Sequence, residues 1–573
     1  MKLCVNRRVC VSCTVGWILA FIGIIMIPVM PVIIKKIVQN TVVIHEGGKV
    51  YDYWKDPPVP IYLQIYMFNL TNQKEFLSGD KPTVEQIGPY TYSEKRVKFD
   101  IVWHDNGTVS YRQKRIFQFV PEMSKGNKET DQFLVPNPVY WALFSALRYE
   151  YSSVQTIISY LAALFDEHPF MYRPFKEVIW GYRDPMLNVT KAIDPEWFYT
   201  DIIGFFMNKN DTDDGVYNVF TGEKDIDQLG VIDRYNGTKY LKFWSTQWAN
   251  MINGSDGTLG PPYLDKSRLM PTFSSDICRS VFGIFKSDVQ TKQGINLWRF
   301  EAPKNYLANA SVNPDNVGFC TPDAEHCLGA GLFNGTNCQS VDFFNLPIAF
   351  SMPHFLYGDP KYINAVNGIH PIEDQHKTTI DLEPYTGLVL QAAKRLQVNM
   401  YLQPIHDVEE TAGITPVFYP VFWLNESASI DDKNADKLFS MLLTPLKIIH
   451  IGEIVLISVG ALLILIAVIY IIYTMRSQQN FTAHFRDRET GREGPEETRP
   501  ITQYDDNQSE YTDNQSTPVD TQSRSTGNQS EFQDPIGSLQ SQERPFSSPV
   551  DFDTDVKQTE HLKPNDEFFP CKS

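Results

Sequence analysis

Two uncharged apolar runs, each twenty residues long, lie near opposite ends of this chain and constrain everything between them. The first covers residues 15–34 and the second residues 454–473. A helix of that length rises roughly 30 Å, the thickness of a bilayer's hydrocarbon core. Pro28 and Pro31 fall inside the first run; neighbouring helices can re-satisfy the carbonyls that a proline frees in lipid. Lys2, Arg7 and Arg8 precede the run as they would in a signal peptide. The run is longer than an ordinary signal core, however, and no small-x-small cleavage site stands before Lys35 and Lys36. The expectation is an uncleaved anchor at residues 15–34 and a second span at 454–473. Residues 1–14 would then be a cytoplasmic N-terminus and residues 35–447 one large outer domain.

The cysteines orient this hairpin better than the charges do. Lys and Arg stand on both sides of the first span, so the positive-inside count is weak. Cys278, Cys320, Cys327 and Cys338 cluster in the middle segment, an even number that suits disulfides in an oxidising compartment. Their spacing, C-x41-C-x6-C-x10-C, lacks the close knuckle of a zinc site. By sequence alone, three pairings of the four remain open. Cys4, Cys10 and Cys13 border the first span on the inner side and are palmitoylation candidates. Nine sequons lie between the spans, at Asn69, Asn106, Asn188, Asn210, Asn236, Asn253, Asn309, Asn334 and Asn425, and are expected to carry glycans. Asn480, Asn507, Asn514 and Asn528 match the same motif beyond the second span, where no glycosyltransferase would reach them.

Beyond residue 476 the composition changes. Residues 477–573 hold 19 acidic and 9 basic residues and only 14 Leu, Ile, Val or Phe. Such a segment cannot bury enough apolar surface to offset its ordering entropy, and it reads as a disordered cytoplasmic tail.

The outer domain reads as mainly β. Ile61, Leu63, Ile65 and Met67 alternate with Tyr62, Gln64 and Tyr66. Val97, Phe99, Ile101 and Trp103 lead into Asn106-Gly107 and then Val109 and Tyr111, a hairpin pattern. Residues 231–244 repeat it around Asn236-Gly237. Residues 296–300, 387–403 and 415–423 fit further strands. Many strands without intervening helices predict a large antiparallel sheet or barrel. Residues 140–180 differ: they read as helical, and Ile157, Ile158, Leu161, Ala162, Leu164 and Phe165 recur at near-helical spacing. That stripe is either a buried helix face or an exposed patch that meets a partner.

Catalytic signatures are absent. The chain has no G-x-S-x-G, H-E-x-x-H or phosphate-binding loop. Residues 210–215 resemble a calcium loop only until Thr212 and Thr221 fall where acidic ligands are needed. His354 and His370 read as structural. Net charge is −17, from 51 basic and 68 acidic residues with no basic stripe, which argues against nucleic acid. No enzyme, cofactor or metal is expected.

Eight short strings along the chain then carry a resemblance: GPYTY (88–92), WGYRDP (180–185), MINGSDG (251–257), CRS (278–280), GFC (318–320), SMPHF (351–355), NGIHP (367–371) and AAKRLQV (392–398). In this order, with two spans, the chain resembles the class B scavenger receptor family, the group of the fatty-acid translocase, the high-density-lipoprotein receptor and the lysosomal integral membrane protein. The resemblance implies a β-barrel ectodomain with a helical apex near 140–180, and a hydrophobic tunnel that passes lipid to the membrane. It implies lipids, lipoproteins or other polyanionic ligands as partners, self-association as an oligomer, and apex contact residues among Ile157, Ile158, Leu161, Leu164 and Phe165. It also implies the nested pairing Cys278–Cys338 around Cys320–Cys327, one bridge fewer than in several members. A lysosomal carrier of a hydrolase is the alternative function. The lysosomal member's acidic dileucine string has Pro500 in the leucine position here, which favours the plasma membrane.

Overall fold

The computed structural model describes residues 7–48, 50–147, 151–193, 200–338, 346–405, 408–438, 440 and 444–489. Both apolar runs are helical, within Arg7–Val42 and Thr444–Glu489. The stretches able to cross a membrane are Val9–Val42 and Lys447–Asn480, each 34 residues long. Trp17, Ile18, Leu462 and Ile466 are more than half exposed along them, as side chains that face lipid must be. The two helices touch where side chains are smallest: a Cβ on Gly16 would lie 3.0 Å from the Gly460 carbonyl, and one on Gly460 would lie 2.6 Å from the Ala20 nitrogen. Small residues let backbones approach where no hydrophobic effect drives helices together.

Between the helices, thirteen strands form one antiparallel sheet. In chain order its members are β1 (Ile61–Leu70), β2 (Val84–His104) and β3 (Thr108–Phe119). Two short hairpins outside the sheet use β4 (Gln132–Pro136) with β5 (Phe170–Pro174), and β6 (Tyr182–Arg183) with β7 (Ile202–Ile203). The sheet resumes with β8 (Thr212–Phe220), β9 (Ile232–Tyr235), β10 (Met270–Ser274), β11 (Arg279–Gln290) and β12 (Asn296–Glu301). It ends with β13 (Leu332–Asn334), β14 (Ile348–Ser351), β15 (Thr379–Leu382), β16 (Val389–Leu402) and β17 (Val417–Ser429). The order runs from β10 through β11, β12, β15, β16, β17, β1, β2, β3 and β8 to β9.

The two ends of that order are stitched together, which makes the sheet a barrel. The Ile232 N–H at β9 donates to the Gly254 carbonyl (2.8 Å), and the Phe273 N–H on β10 donates to the Ser255 carbonyl (2.9 Å). Gly254 is required there: its φ is +88°, and a Cβ would sit 2.0 Å from the Pro271 carbonyl oxygen. Closure removes the exposed edges that an open sheet would leave.

The end away from the membrane helices is filled. Tyr90 stacks on Phe175 (3.9 Å between centroids), Tyr92 meets Trp180 edge-on (5.2 Å), and Phe76 meets Phe170 (5.8 Å). Two Asx-Pro pairs start the apex helices. Asn137 accepts from the Val139 N–H (3.1 Å) ahead of Pro138–Leu147, and Asp184 accepts from Met186 and Leu187 (3.0 Å each) ahead of Pro185–Ile193. The cap satisfies free donors and proline at N1 needs none.

Several expectations change in detail. The apex is not helical throughout 140–180, because residues 170–174 form β5, and its helices extend to Ile193. The hairpin at 231–244 keeps only its first strand. Beyond Asn236 and Gly237 the chain bonds instead to Asn250, whose Oδ1 accepts from Phe243 and Trp244 (3.0 Å each). The C-terminal helix continues past residue 477 to Glu489, since Met475 to Gln479 hold no helix breaker; residues 490–573 lie outside the described residues. On β2, Glu94 and Lys98 are buried on the inner face while Val97 and Phe99 are half-buried on the other; a bulge after Phe99 then brings Ile101 back against the core.

Candidate functional site

Below the aromatic fill the barrel is hollow. A cavity of about 300 Å³ occupies its lower part, walled by Phe273, Leu388, Leu390 and Ile430. Its rim includes Thr41, at the end of the N-terminal helix, and Leu438, shortly before the C-terminal helix. The rim therefore lies at the end of the barrel where the chain enters and leaves the membrane. A smaller cavity of about 70 Å³ lies among Leu63, Phe117, Leu396, Val398 and Phe422. A third, of about 140 Å³, reaches Phe300, Phe333 and Met352.

Charged side chains stand where these cavities meet. Alternation on β2 turns Glu94 and Arg96 inward, β3 supplies Arg115, β16 Lys394 and β17 Glu426. Register brings Arg96 opposite Arg115 and Lys394 opposite Glu426. Asp276 comes from the short turn Ser275–Ile277. The six form one chain of alternating sign. Glu94 binds Arg96 (2.7 Å), Arg96 binds Glu426, Glu426 faces Lys394 (3.6 Å), Lys394 binds Asp276 (2.6 Å), and Asp276 binds Arg115 (2.8 Å).

Burial works against every charge here, and the partners decide the outcome. It acts to raise the Asp276 carboxyl, but Arg115 and Lys394 outweigh it and hold that group well below the usual carboxylate range. Burial likewise opposes ionisation of Glu426, and Arg96 and Lys394 overcome it. At Glu94 burial wins and the carboxyl is raised. One step further along β2, the fully buried Lys98 bonds Gln113 (2.9 Å), faces Asp256 (3.5 Å) and lies 5.1 Å from the Tyr111 ring. Burial lowers its ammonium despite Asp256.

The residues singled out from sequence are mostly elsewhere. Disulfides join Cys278 to Cys338 and Cys320 to Cys327, 60 and 7 residues apart. The first anchors the turn that carries Asp276, two residues before Cys278. On the apex helix Ser152–Leu164, Leu164 and Tyr160 are each 75% exposed and Leu161 is 38% exposed; Ala162 is buried and Phe165 half-buried. Leu161 and Leu164 are thus uncovered, while the side chains of Ile157 and Ile158 lie outside the described residues. Asn106, Asn188, Asn210, Asn236, Asn253 and Asn309 are exposed. Asn69, Asn334 and Asn425 are half-buried, and the amides of the last two donate to Thr321 (3.1 Å) and Gln64 (2.9 Å). Cys10 and Cys13 lie in the first turns of the N-terminal helix; Cys4 is outside the described residues.

His354 is buried between Gln86 (2.7 Å) and the His370 backbone N–H (3.0 Å), and it stacks on His376 (4.5 Å). Burial takes its ring down to about 3 and that of His376 to about 4, so both are neutral spacers. At the rejected calcium loop, Asp211 pairs with Lys114 (3.2 Å) and Asp213 with Arg112 (2.7 Å).

Sequence reasoning missed the charged chain in the lumen. Its signal was present in Glu94, Arg96 and Lys98 at period two. The apolar residues at 97, 99, 101 and 103, alternating at the same period, outvoted it.

The fold and lumen define a two-span membrane protein with a hollow β-barrel ectodomain. The chain belongs to the CD36 family, whose sequence model matches residues 14–471. It is 34% identical to the scavenger receptor class B member 1 of Sus scrofa, over 81% of this chain and 89% of that one. It is 36% identical to the lysosome membrane protein 2 of Homo sapiens, over 74% of this chain and 86% of that one.

Proposed function

We propose that this protein is a plasma-membrane receptor that captures lipoprotein or other lipidic and polyanionic ligands at its apex and passes lipid through the barrel to the bilayer. The observation that carries the reading is the 300 Å³ cavity with Thr41 and Leu438 on its rim. That volume falls within the range of ligand-holding pockets, roughly 300–1,000 Å³. A lipid crossing water loses about 0.8 kcal/mol for each methylene it exposes, and a lined route removes that barrier without covalent chemistry. Named relatives that are scavenger receptors support the class.

The test is uptake of a labelled lipid from lipoprotein by cells expressing the full chain, against vector cells. Uptake above background supports the reading. Background uptake at normal surface abundance removes it.

A second reading, a carrier of a lysosomal hydrolase, draws on the exposed Tyr160, Leu161 and Leu164 and on the lysosome membrane protein 2 relative. Co-purification of a soluble hydrolase, together with steady-state residence in lysosomes, would favour it. Self-association belongs to either reading, and crosslinking at the cell surface tests it.

A further inference from the structure

The lumen of this barrel is not one continuous apolar passage. Lys394 lines all three cavities, and Arg115, Asp276 and Glu426 line both the basal cavity and the smaller one above it. Above that level stand Leu63, Leu396, Val398 and Phe422; below it stand Phe273, Leu388, Leu390 and Ile430. A charged layer thus separates the apolar stretches of the lining. Its three cations and three anions cancel, so it is closed on itself rather than waiting for a counter-ion.

The six members are not held equally. Arg96 is clamped between Glu94 and Glu426, and both terminal nitrogens of Arg115 bond Asp276. Lys394 has one short contact (2.6 Å) and one long one (3.6 Å), and 33% of its side chain is uncovered, the largest share of the six. It is also a point charge on a flexible four-carbon stem, whereas arginine holds its partners with a rigid fork.

We propose that this layer is a selectivity gate with Lys394 as its moving part, so that lipid reaches the basal cavity only when the Lys394 ammonium leaves Asp276 and Glu426. The proposal rests on the lipid-passage reading and adds which lipids pass. A head group that brings acceptor oxygens can replace Asp276 at Lys394 while the ammonium swings aside. A hydrocarbon offers nothing in exchange and an ether-linked sterol only one weak, uncharged acceptor, so either would leave buried charges poorly paired. The intact gate therefore favours amphiphiles with acceptor-bearing heads over wholly apolar lipids.

The experiment compares two tracers carried on phosphatidylcholine emulsions, a cholesteryl ether and a fluorescent phospholipid, in cells expressing the full chain. Uptake is divided by surface abundance measured by biotinylation. The paired change Asp276→Asn with Lys394→Met removes one charge of each sign. It should raise the ratio of ether to phospholipid uptake by about threefold or more, the scale of a weakened polar discrimination. An unchanged ratio at normal surface abundance overturns the gate. Should the pair fail to reach the surface, Lys394→Gln carries the same expectation, because its amide still bonds Asp276. Lys394→Arg, which keeps the cation and holds both carboxylates with a rigid fork, should slow uptake of both tracers; a rise in the ratio there also overturns the gate. Ala392→Trp, which fills the basal cavity, separates the two ideas. If it leaves uptake intact, the passage reading fails and takes the gate with it. If it blocks uptake while the Lys394 variants keep the wild-type ratio, only the gate fails.

Discussion

Strand β2 passes through both halves of the barrel, and its inward residues differ completely between them. Tyr90 and Tyr92 stack into the apex-side core against Phe175 and Trp180. Two residues further, on the same face, come Glu94, Arg96 and Lys98, each with an ionic partner. The aromatic half needs no explanation beyond burial, since each ring removes a large apolar area from water. The charged half does not follow from stability. Replacing a buried ion network by well-packed apolar residues is often neutral or stabilising. What the network does is keep a lumen polar at one level and unfilled beside it.

If the upper half is a packed core, Phe175→Ala should cost roughly 3–5 kcal/mol. Thermal unfolding of the full chain purified in detergent measures this. A loss under about 1 kcal/mol would mean that the upper half is as loosely filled as the lower.

The disulfide beside the lumen comes next. Cys278→Ser opens a loop of 60 residues, worth about 4 kcal/mol by chain entropy, and releases the turn that positions Asp276. Retention in the endoplasmic reticulum is the expected outcome. Cys320→Ser opens a loop of 7 and should be milder. Equal retention of both variants would contradict the ranking.

Within the charged half, Asp276→Asn alone should cost about 2–3 kcal/mol, because Lys394 and Arg115 lose their shared anion. Adding Lys394→Met should recover most of that loss. In the aromatic half the pair Tyr90→Ala and Phe175→Ala should show no such recovery. The same unfolding assay run on both pairs distinguishes an ionic unit from a hydrophobic one.

A smaller effect sits in the apex. Burial first, and then the adjacent Asp184 carboxyl, push Glu167 up to about 7. Asp184 is raised as well, so the pair holds a proton between them when folded. The unfolded chain releases that proton near pH 4.3, so the folded state binds more protons between there and about 7. The contribution is fully present below the unfolded value and is lost as pH rises through about 7. After allowance for solvent screening, stability should fall by about 2 kcal/mol across that window. Glu167→Gln should flatten the dependence; a curve that keeps its slope would place its origin elsewhere.

The smallest change in stability is expected at the apex surface. Leu164→Asp, at a position 75% exposed, should alter stability by about 0.5 kcal/mol or less while lowering ligand capture. Capture unchanged at equal surface level would remove the apex helix from the binding surface.

Much of the architecture was legible before any fold was known. Two charge-free runs of twenty residues admit few structures other than spans, because the bilayer sets a length and forbids charge. Asn106-Gly107 marks its hairpin because Gly107 takes the positive φ (80°) that the tight turn needs. Asn236-Gly237 has the same signature, and Asn236 and Gly237 do turn with positive φ (49° and 77°). Yet its second strand is absent, since Asn250 satisfies the following backbone instead. The apex stripe was ambiguous because spacing defines a helix face without saying what covers it.

Sequence by itself determined the two spans, the β character of the domain between them and the even cysteine set. These depend on local chemistry or on the fixed thickness of a bilayer. Only the tertiary structure decided which face of β2 looks inward, that Gly254 and Ser255 close the sheet, and that six charges from four strands and one turn meet at a single level. Period-two alternation separates a strand's faces but does not name the inner one when the interior is polar. That choice is made by partners hundreds of residues away, such as Glu426 for Arg96, which exist only once the barrel has closed.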